Sequence, residues 1–177
     1  MAKHGVLMER DNFIASKAMN RAGISALAID GGCPVVEGAI VSGNDECYTL
    51  TAYATAGTRV GIAFNPSAPR DEFGYPVRSM DDRTYTNRAG DVVDYFFPEV
   101  GMEFGVQMAN ITGSTAPVVG KFLECTNGTL LYTIQNSQTA SVPSFEVVQI
   151  MSANYPTGDF SNDKEPVYIV KCRYNGL

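Results

Sequence analysis

The run Val119-Gly-Lys-Phe-Leu-Glu-Cys125-Thr-Asn127-Gly128-Thr-Leu-Leu-Tyr-Thr-Ile134 decides the fold class. Lys121, Leu123 and Cys125 fall on one side of an extended chain, and Phe122 and Glu124 on the other, which is the two-residue period of a strand. A second β-branched and aromatic run resumes at Thr129. Asn-Gly between two such runs predicts a two-residue type I′ hairpin, because both central residues must take positive φ.

The same grammar repeats outward in both directions. Val35–Val41, Cys47–Tyr53, Thr58–Phe64, Val92–Phe97, Met102–Ala109, Pro117–Cys125, Thr129–Ile134, Phe145–Met151 and Pro166–Arg173 read as strands, separated by glycine, proline and asparagine turns. These nine short strands predict an all-β fold, a small barrel or sandwich. Residues 9–21 are the one helix candidate, with Asp11 or Asn12 as cap and Phe13, Ile14 and Met19 as its apolar positions. Residues 1–30 are expected to form an N-terminal arm, extended or briefly helical. Residues 31–177 are expected to form the β domain, with a long loop at 65–91.

Composition bounds the function. The 177 residues are 45% apolar and 18% charged, enough to bury one core without staples. The net charge is −6 and the thirteen Lys and Arg are scattered. A nucleic-acid or anionic-membrane partner would call for a basic patch, so neither is expected. No stretch approaches the ~18 apolar residues of a membrane helix, and the N-terminus lacks the apolar core of a signal peptide, which points to synthesis in a cytoplasm. The four cysteines, Cys33, Cys47, Cys125 and Cys172, form no CxxC pair and have no histidine beside them. Free thiols packed in strands are the expectation, and no metal or cofactor is predicted.

Chemistry has few candidates. The single histidine, His4, sits near the N-terminus, where a mobile end could not hold it beside a nucleophile. No phosphate-cradling glycine loop occurs. Asp81-Asp82 and Asp91 with Asp94 are the paired carboxylates, but the chain has no tryptophan to form a sugar platform. A non-enzymatic binding or assembly module is the reading that remains. Partner contacts are expected from Phe13 and Ile14 on the arm. The mixed-charge loop would supply Arg70, Phe73, Tyr75, Arg78, Arg83 and Tyr85, since arginines and aromatics anchor interfaces.

From Arg83-Thr-Tyr-Thr-Asn87-Arg-Ala-Gly90-Asp91 onward, a series of strand–glycine–strand phrases follows: Pro98-Glu-Val-Gly101-Met-Glu-Phe104, Val118-Val-Gly120-Lys-Phe-Leu123, the Asn127-Gly128 turn, Phe145-Glu-Val-Val148 and Val167-Tyr-Ile-Val170. Over residues 83–173 this resembles the small β-barrel capsid decoration, or cement, proteins of tailed bacteriophages. The resemblance implies a virion protein on the capsid surface, made in the bacterial host cytoplasm. It implies the major capsid protein as partner, with self-association as a trimer or between lattice neighbours, and stabilisation by bridging capsid subunits through many weak contacts. An arm could add a strand to a neighbour's sheet. Other virion parts (head fibre, head–tail connector or tail protein) and a bacterial ligand-binding β module are the alternatives.

Overall fold

The computed structural model describes residues 3–8, 20–66, 83, 85–156 and 162–176. Among the described residues ten strands are present: β1 (Asn20–Ser25), β2 (Pro34–Val41), β3 (Asn44–Thr51), β4 (Gly61–Ala63), β5 (Val92–Phe96), β6 (Glu103–Gln107), β7 (Phe122–Cys125), β8 (Tyr132–Gln135), β9 (Ser144–Pro156) and β10 (Asn162–Tyr174). A 3-10 turn, Met108–Asn110, follows β6. The protein is all-β. Strands β1-β3-β2-β4-β5 close into a barrel, and β6-β10-β9-β7-β8 form a second, five-stranded sheet.

The first strand corrects the expected arm. Asn20–Ser25 does not reach outward but pairs in parallel with β3, Ala22 opposite Cys47, and antiparallel with β5, Ile24 opposite Val92. Its sequence hides it, because Ala22, Gly23 and Ser25 leave no alternation of large residues. The reason is packing: a Cβ on Gly23 would lie 2.5 Å from Cγ of Leu50, which fills the barrel from β3. Gly61 on β4 plays the same part for Tyr95, whose Cδ2 would lie 2.5 Å from an added Cβ. Two missing side chains thus make room for two large ones, so that the interior of a narrow barrel can be filled.

Strands β4 and β5 are a shared wall. Along β5 the period of two sends Val93 and Tyr95 into the barrel cluster, with Phe97 just beyond the strand, while Phe96 faces the sheet. On β4, Ala63 faces the barrel and Ile62 the sheet. The sheet contributes Phe104, Val106, Leu123, Tyr132, Phe145, Val147, Tyr168 and Val170 to that second cluster. Aromatic rings link the two halves in sequence: Phe64 to Phe96 at 5.3 Å, Phe96 to Phe104 at 6.0 Å, Phe104 to Phe145 at 5.4 Å and Phe145 to Tyr132 at 5.7 Å. The last three are edge-to-face contacts, each stabilising by about 0.5–1.5 kcal/mol beyond simple burial.

The Asn127-Gly128 junction does join paired strands, since Leu123 faces Ile134 across β7 and β8. It is not a two-residue turn. Gly128 has φ of +77°, but Asn127 does not have positive φ, and the loop runs over residues 126–131. Its tip is pulled toward the barrel, where Gly128 N–H donates to the Tyr53 carbonyl at 2.7 Å. Tertiary contact therefore overrides the local turn preference.

Candidate interaction surface

Two of the expected partner residues are inside the protein. Arg83 is 3% exposed and Tyr85 is 8% exposed. The Arg83 guanidinium lies 4.3 Å over the Tyr155 ring. It donates to Asp163 Oδ2 at 2.9 Å and pairs with Glu165 Oε1 at 2.8 Å. Lys3 reaches the same two carboxylates, with Asp163 Oδ2 at 2.8 Å. Arg83 thus ties the N-terminal segment to the β9–β10 hairpin and is not an anchor for a partner. A charged fork is the right tool here, because a buried guanidinium needs acceptors that a carboxylate pair supplies. Hydrogen bonds from Lys3 and Arg83 hold the Asp163 carboxyl below its ordinary range, and those to Asp163 and Glu165 push the Lys3 ammonium up. The other six expected contacts, Phe13, Ile14, Arg70, Phe73, Tyr75 and Arg78, lie outside the described residues, as do Asp81 and Asp82.

The N-terminal segment is also fixed where a mobile end was expected. The His4 N–H donates to the Arg83 carbonyl at 2.9 Å, and His4 Nδ1 lies 2.9 Å from Asp30 Oδ1. Gly5 N–H donates to the other oxygen of Asp30 at 3.1 Å. Leu7 is buried in the sheet cluster, and Met8 pairs antiparallel with Gly105 beside β6. Residues 3–8 therefore act as a strap across both halves.

Among the described residues, four asparagine side chains do internal work. Asn65 exchanges two hydrogen bonds with the backbone of Leu7, at 2.8 and 2.9 Å. Asn175 does the same with Val60, both at 2.9 Å, and also reaches the Pro98 carbonyl. Asn87 donates to the carbonyls of Ile29 and Phe64, and Asn110 to that of Gly31. A carboxamide carries one donor group and one acceptor like a peptide unit, so Asn65 and Asn175 each pair with one residue's backbone as a strand neighbour would. No sequence signal marks these residues, because their partners are distant along the chain.

Polar groups on β1, β2 and β5 are similarly joined. Tyr95 donates to Glu37 Oε2 at 2.5 Å, and Arg21 donates to both Glu37 oxygens at 2.8 and 3.0 Å. Burial and the Glu37 carboxylate raise the Tyr95 phenol, which stays a donor. Arg21 also lies 5.2 Å from the Tyr48 ring and 5.7 Å from the Phe97 ring. Asp91 and Asp94, the remaining candidate carboxylates, are exposed at the start of β5. All four cysteines are free and buried. Burial pushes the thiols of Cys33 and Cys172 up to about 12, which suppresses the reactive thiolate. Among the described residues no group of three His, Cys, Asp or Glu could hold a metal, and no helix is long and apolar enough to cross a membrane.

The exposed surface carries aliphatic side chains in separate places. Leu27 and Val92, each 57% exposed, sit at one end of the barrel, where Gly90 N–H bonds to the Ser25 carbonyl. Val100 is 71% exposed on the turn before β6. Val118, Val119, Ile150 and Met151 are exposed around the point where β7 leaves β9. No signal in the sequence separated these residues from core positions, since all are ordinary strand or turn hydrophobics. No protein-family model, curated protein or solved structure matches this chain.

Proposed function

We propose that this chain is a non-enzymatic virion structural protein that binds the outer surface of a bacteriophage capsid and stabilises it by bridging major capsid protein subunits. One observation carries the reading. The charged and amide side chains best placed for chemistry are instead spent on ties between distant segments: Arg83 to Asp163 and Glu165, Arg21 to Glu37, Asn65 to Leu7 and Asn175 to Val60. Such ties make a stiff body, while aliphatic side chains project from several of its corners. A stiff body with several small contact points suits a bridge between subunits, because each contact is weak and their combination is strong. The phrases from Arg83 to Val170 that resemble decoration proteins support the same reading.

The test is purification of the virus particles that carry this protein. It should be present at a fixed ratio to the major capsid protein, and capsids stripped of it should melt at lower temperature and recover on adding it back. Absence from purified particles, or melting unaffected by its removal, would overturn the proposal. A location at the vertex, neck or tail by electron microscopy would assign it instead to a fibre, connector or tail protein. A second reading rests on the cluster of Arg21, Glu37, Tyr48 and Tyr95, which combines charge and aromatic rings as small-ligand sites do. Stabilisation by a small molecule in a thermal-shift screen, lost in Arg21→Ala, would favour that module.

A further inference from the structure

Glu124 is a carboxylate inside the protein. It lies on β7, opposite Thr133 of β8 on one side and Ser144 of β9 on the other. Glu124 is 3% exposed and Ser144 is fully buried. The 136–143 loop, which joins β8 to β9, returns to this row, where Thr139 N–H donates to Glu124 Oε1 at 2.5 Å. Among the described residues no Lys, Arg or His forms an ion pair with Glu124. The basic side chains nearest along the same strands are engaged elsewhere: Arg173 with Glu146 at 2.6 Å, Lys171 with Glu103 at 3.4 Å and Lys121 with Asn136 at 2.6 Å.

Two buried hydroxyls near this carboxylate lack hydrogen-bond partners. Directly opposite residues of an antiparallel pair share one face, with Cβ atoms about 4.5–5.5 Å apart, so the Ser144 hydroxyl stands on the same side as the Glu124 carboxylate. Ser144 Oγ is buried and has no partner, and neither has the hydroxyl of Tyr53, a residue 4% exposed. Burial raises the Tyr53 phenol, and Cys125, Tyr174 and Glu124 add to the effect, so the Glu124 charge is felt at that oxygen. Thr133, on the other side of Glu124, is already spent, since its hydroxyl donates to the Glu124 carbonyl at 3.4 Å.

We propose that Glu124 and Ser144, with Tyr53 beside them, hold one monovalent metal cation, sodium or potassium. An unmatched buried charge and an unpartnered buried hydroxyl are both costly, and one ion between their oxygens answers both. A water molecule would serve the hydroxyls but leave the charge unmatched. One carboxylate balances one positive charge. Calcium instead gathers six to eight oxygens, several of them from carboxylates, and no group of three His, Cys, Asp or Glu is present among the described residues. The ion would also pin the 136–143 loop, because Thr139 binds the same carboxylate and the Ser141 carbonyl accepts from Gly57 N–H at 2.7 Å. It thereby fastens the second sheet to the segment between β3 and β4.

Thermal melts of the purified full chain in sodium, potassium, calcium and choline chloride at matched ionic strength test this without any virus particle, so the outcome is separate from that of the capsid proposal. Choline carries the same charge in a body too large for a buried site, and so reads the general screening expected of a chain of net charge −6. The melting temperature should be higher in sodium or potassium than in choline and should climb with the logarithm of that ion's concentration. The larger of the two responses identifies the ion. Ser144→Ala removes no hydrogen bond within the protein, so it should keep its circular dichroism spectrum and lose most of this difference. Glu124→Gln should abolish the difference, which is read within each variant and so does not depend on its overall stability. Where Glu124→Gln does not fold, Ser144→Ala decides alone. Equal melting in sodium, potassium and choline overturns the proposal and leaves water as the occupant. Greater stabilisation by calcium than by either overturns the single charge. A Ser144→Ala or Glu124→Gln protein that keeps the wild-type difference overturns the site.

Discussion

In the barrel every strand has two neighbours, whereas in the sheet β9 runs on past β7, which pairs with it only at Ser144–Glu146. The barrel achieves closure by thinning its wall: Gly23 and Gly61 make way for Leu50 and Tyr95. The sheet keeps full-sized residues on its inner face, such as Phe104, Phe145 and Tyr168, and needs the barrel wall to cover them. Closure therefore depends on fine fit at a few positions, and the open sheet on bulk burial. The two halves should accordingly fail in different ways when disturbed.

The largest effect is expected from Phe145→Ala. Phe145 is fully buried and lies in edge contact with both Phe104 and Tyr132. Its truncation should cost about 3–5 kcal/mol by denaturant unfolding. Because Ile62 and Phe96 of the barrel wall pack in the same cluster, the loss should lower the stability of both halves in one transition. Thiol labelling reads this out directly. Cys33 reports on the barrel cluster, and Cys125 and Cys172 on the sheet cluster. Equal labelling rates during unfolding would show one unit, and early exposure of Cys125 and Cys172 alone would show that the barrel stands by itself.

Gly61→Val should come next. Its side chain would collide with the Tyr95 ring in a barrel without spare room, costing about 1–3 kcal/mol by the same measurement. A neutral result would mean that the wall shifts freely, and the contrast between fitted barrel and bulk-packed sheet would fall. Arg83→Met is expected to cost on the order of 1–2 kcal/mol, between exposed and buried ion pairs, because Asp163 and Glu165 keep 40% and 23% of their side-chain exposure. Its thermal melt should be lower than wild type while the circular dichroism spectrum is kept.

The smallest effect concerns pH. Lys3 and Arg83 hold the Asp163 carboxyl below its ordinary value of 3.8. That contribution is complete above pH 3.8 and is lost as pH falls through the lowered value. Lys3 is held above its ordinary value of 10.5, so its share is complete below pH 10.5 and is lost as pH rises through the raised value. Asp163→Asn should therefore lower the melting temperature slightly at neutral pH, with the gap to wild type closing in acid. A gap that persists in acid would show that the carboxyl is not the source.

The fold class was legible because nine runs carry large residues at a period of two, and all nine contain strands. β1 was not, because a strand whose interior is filled by its neighbour, Leu50 for Gly23, has no pattern of its own. The surface was harder to read. Arg83 and Tyr85 resemble interface anchors in type, and only the placement of Tyr155, Asp163 and Glu165 makes Arg83 internal. Val118, Val119, Ile150 and Met151 resemble core residues in type, and only the early departure of β7 leaves them exposed. Residue type predicts what a side chain can do. Distant pairing decides whether it faces inward.

The Asn175 tie has a consequence for how the chain assembles. The backbone N–H and C=O of Val60 are satisfied by a residue 115 positions later. Likewise β1 finds its partner β5 only after some seventy residues have intervened. As the chain is synthesised, β1 must wait for β5 before the barrel can close, and the Val60 groups must stay with water until Asn175 arrives. Such long-range closure slows folding and leaves strand edges bare for longer. The chain around Val60 is thus completed only when Asn175 docks, and Asn175→Ala should slow refolding by leaving the Val60 N–H and C=O without their partner.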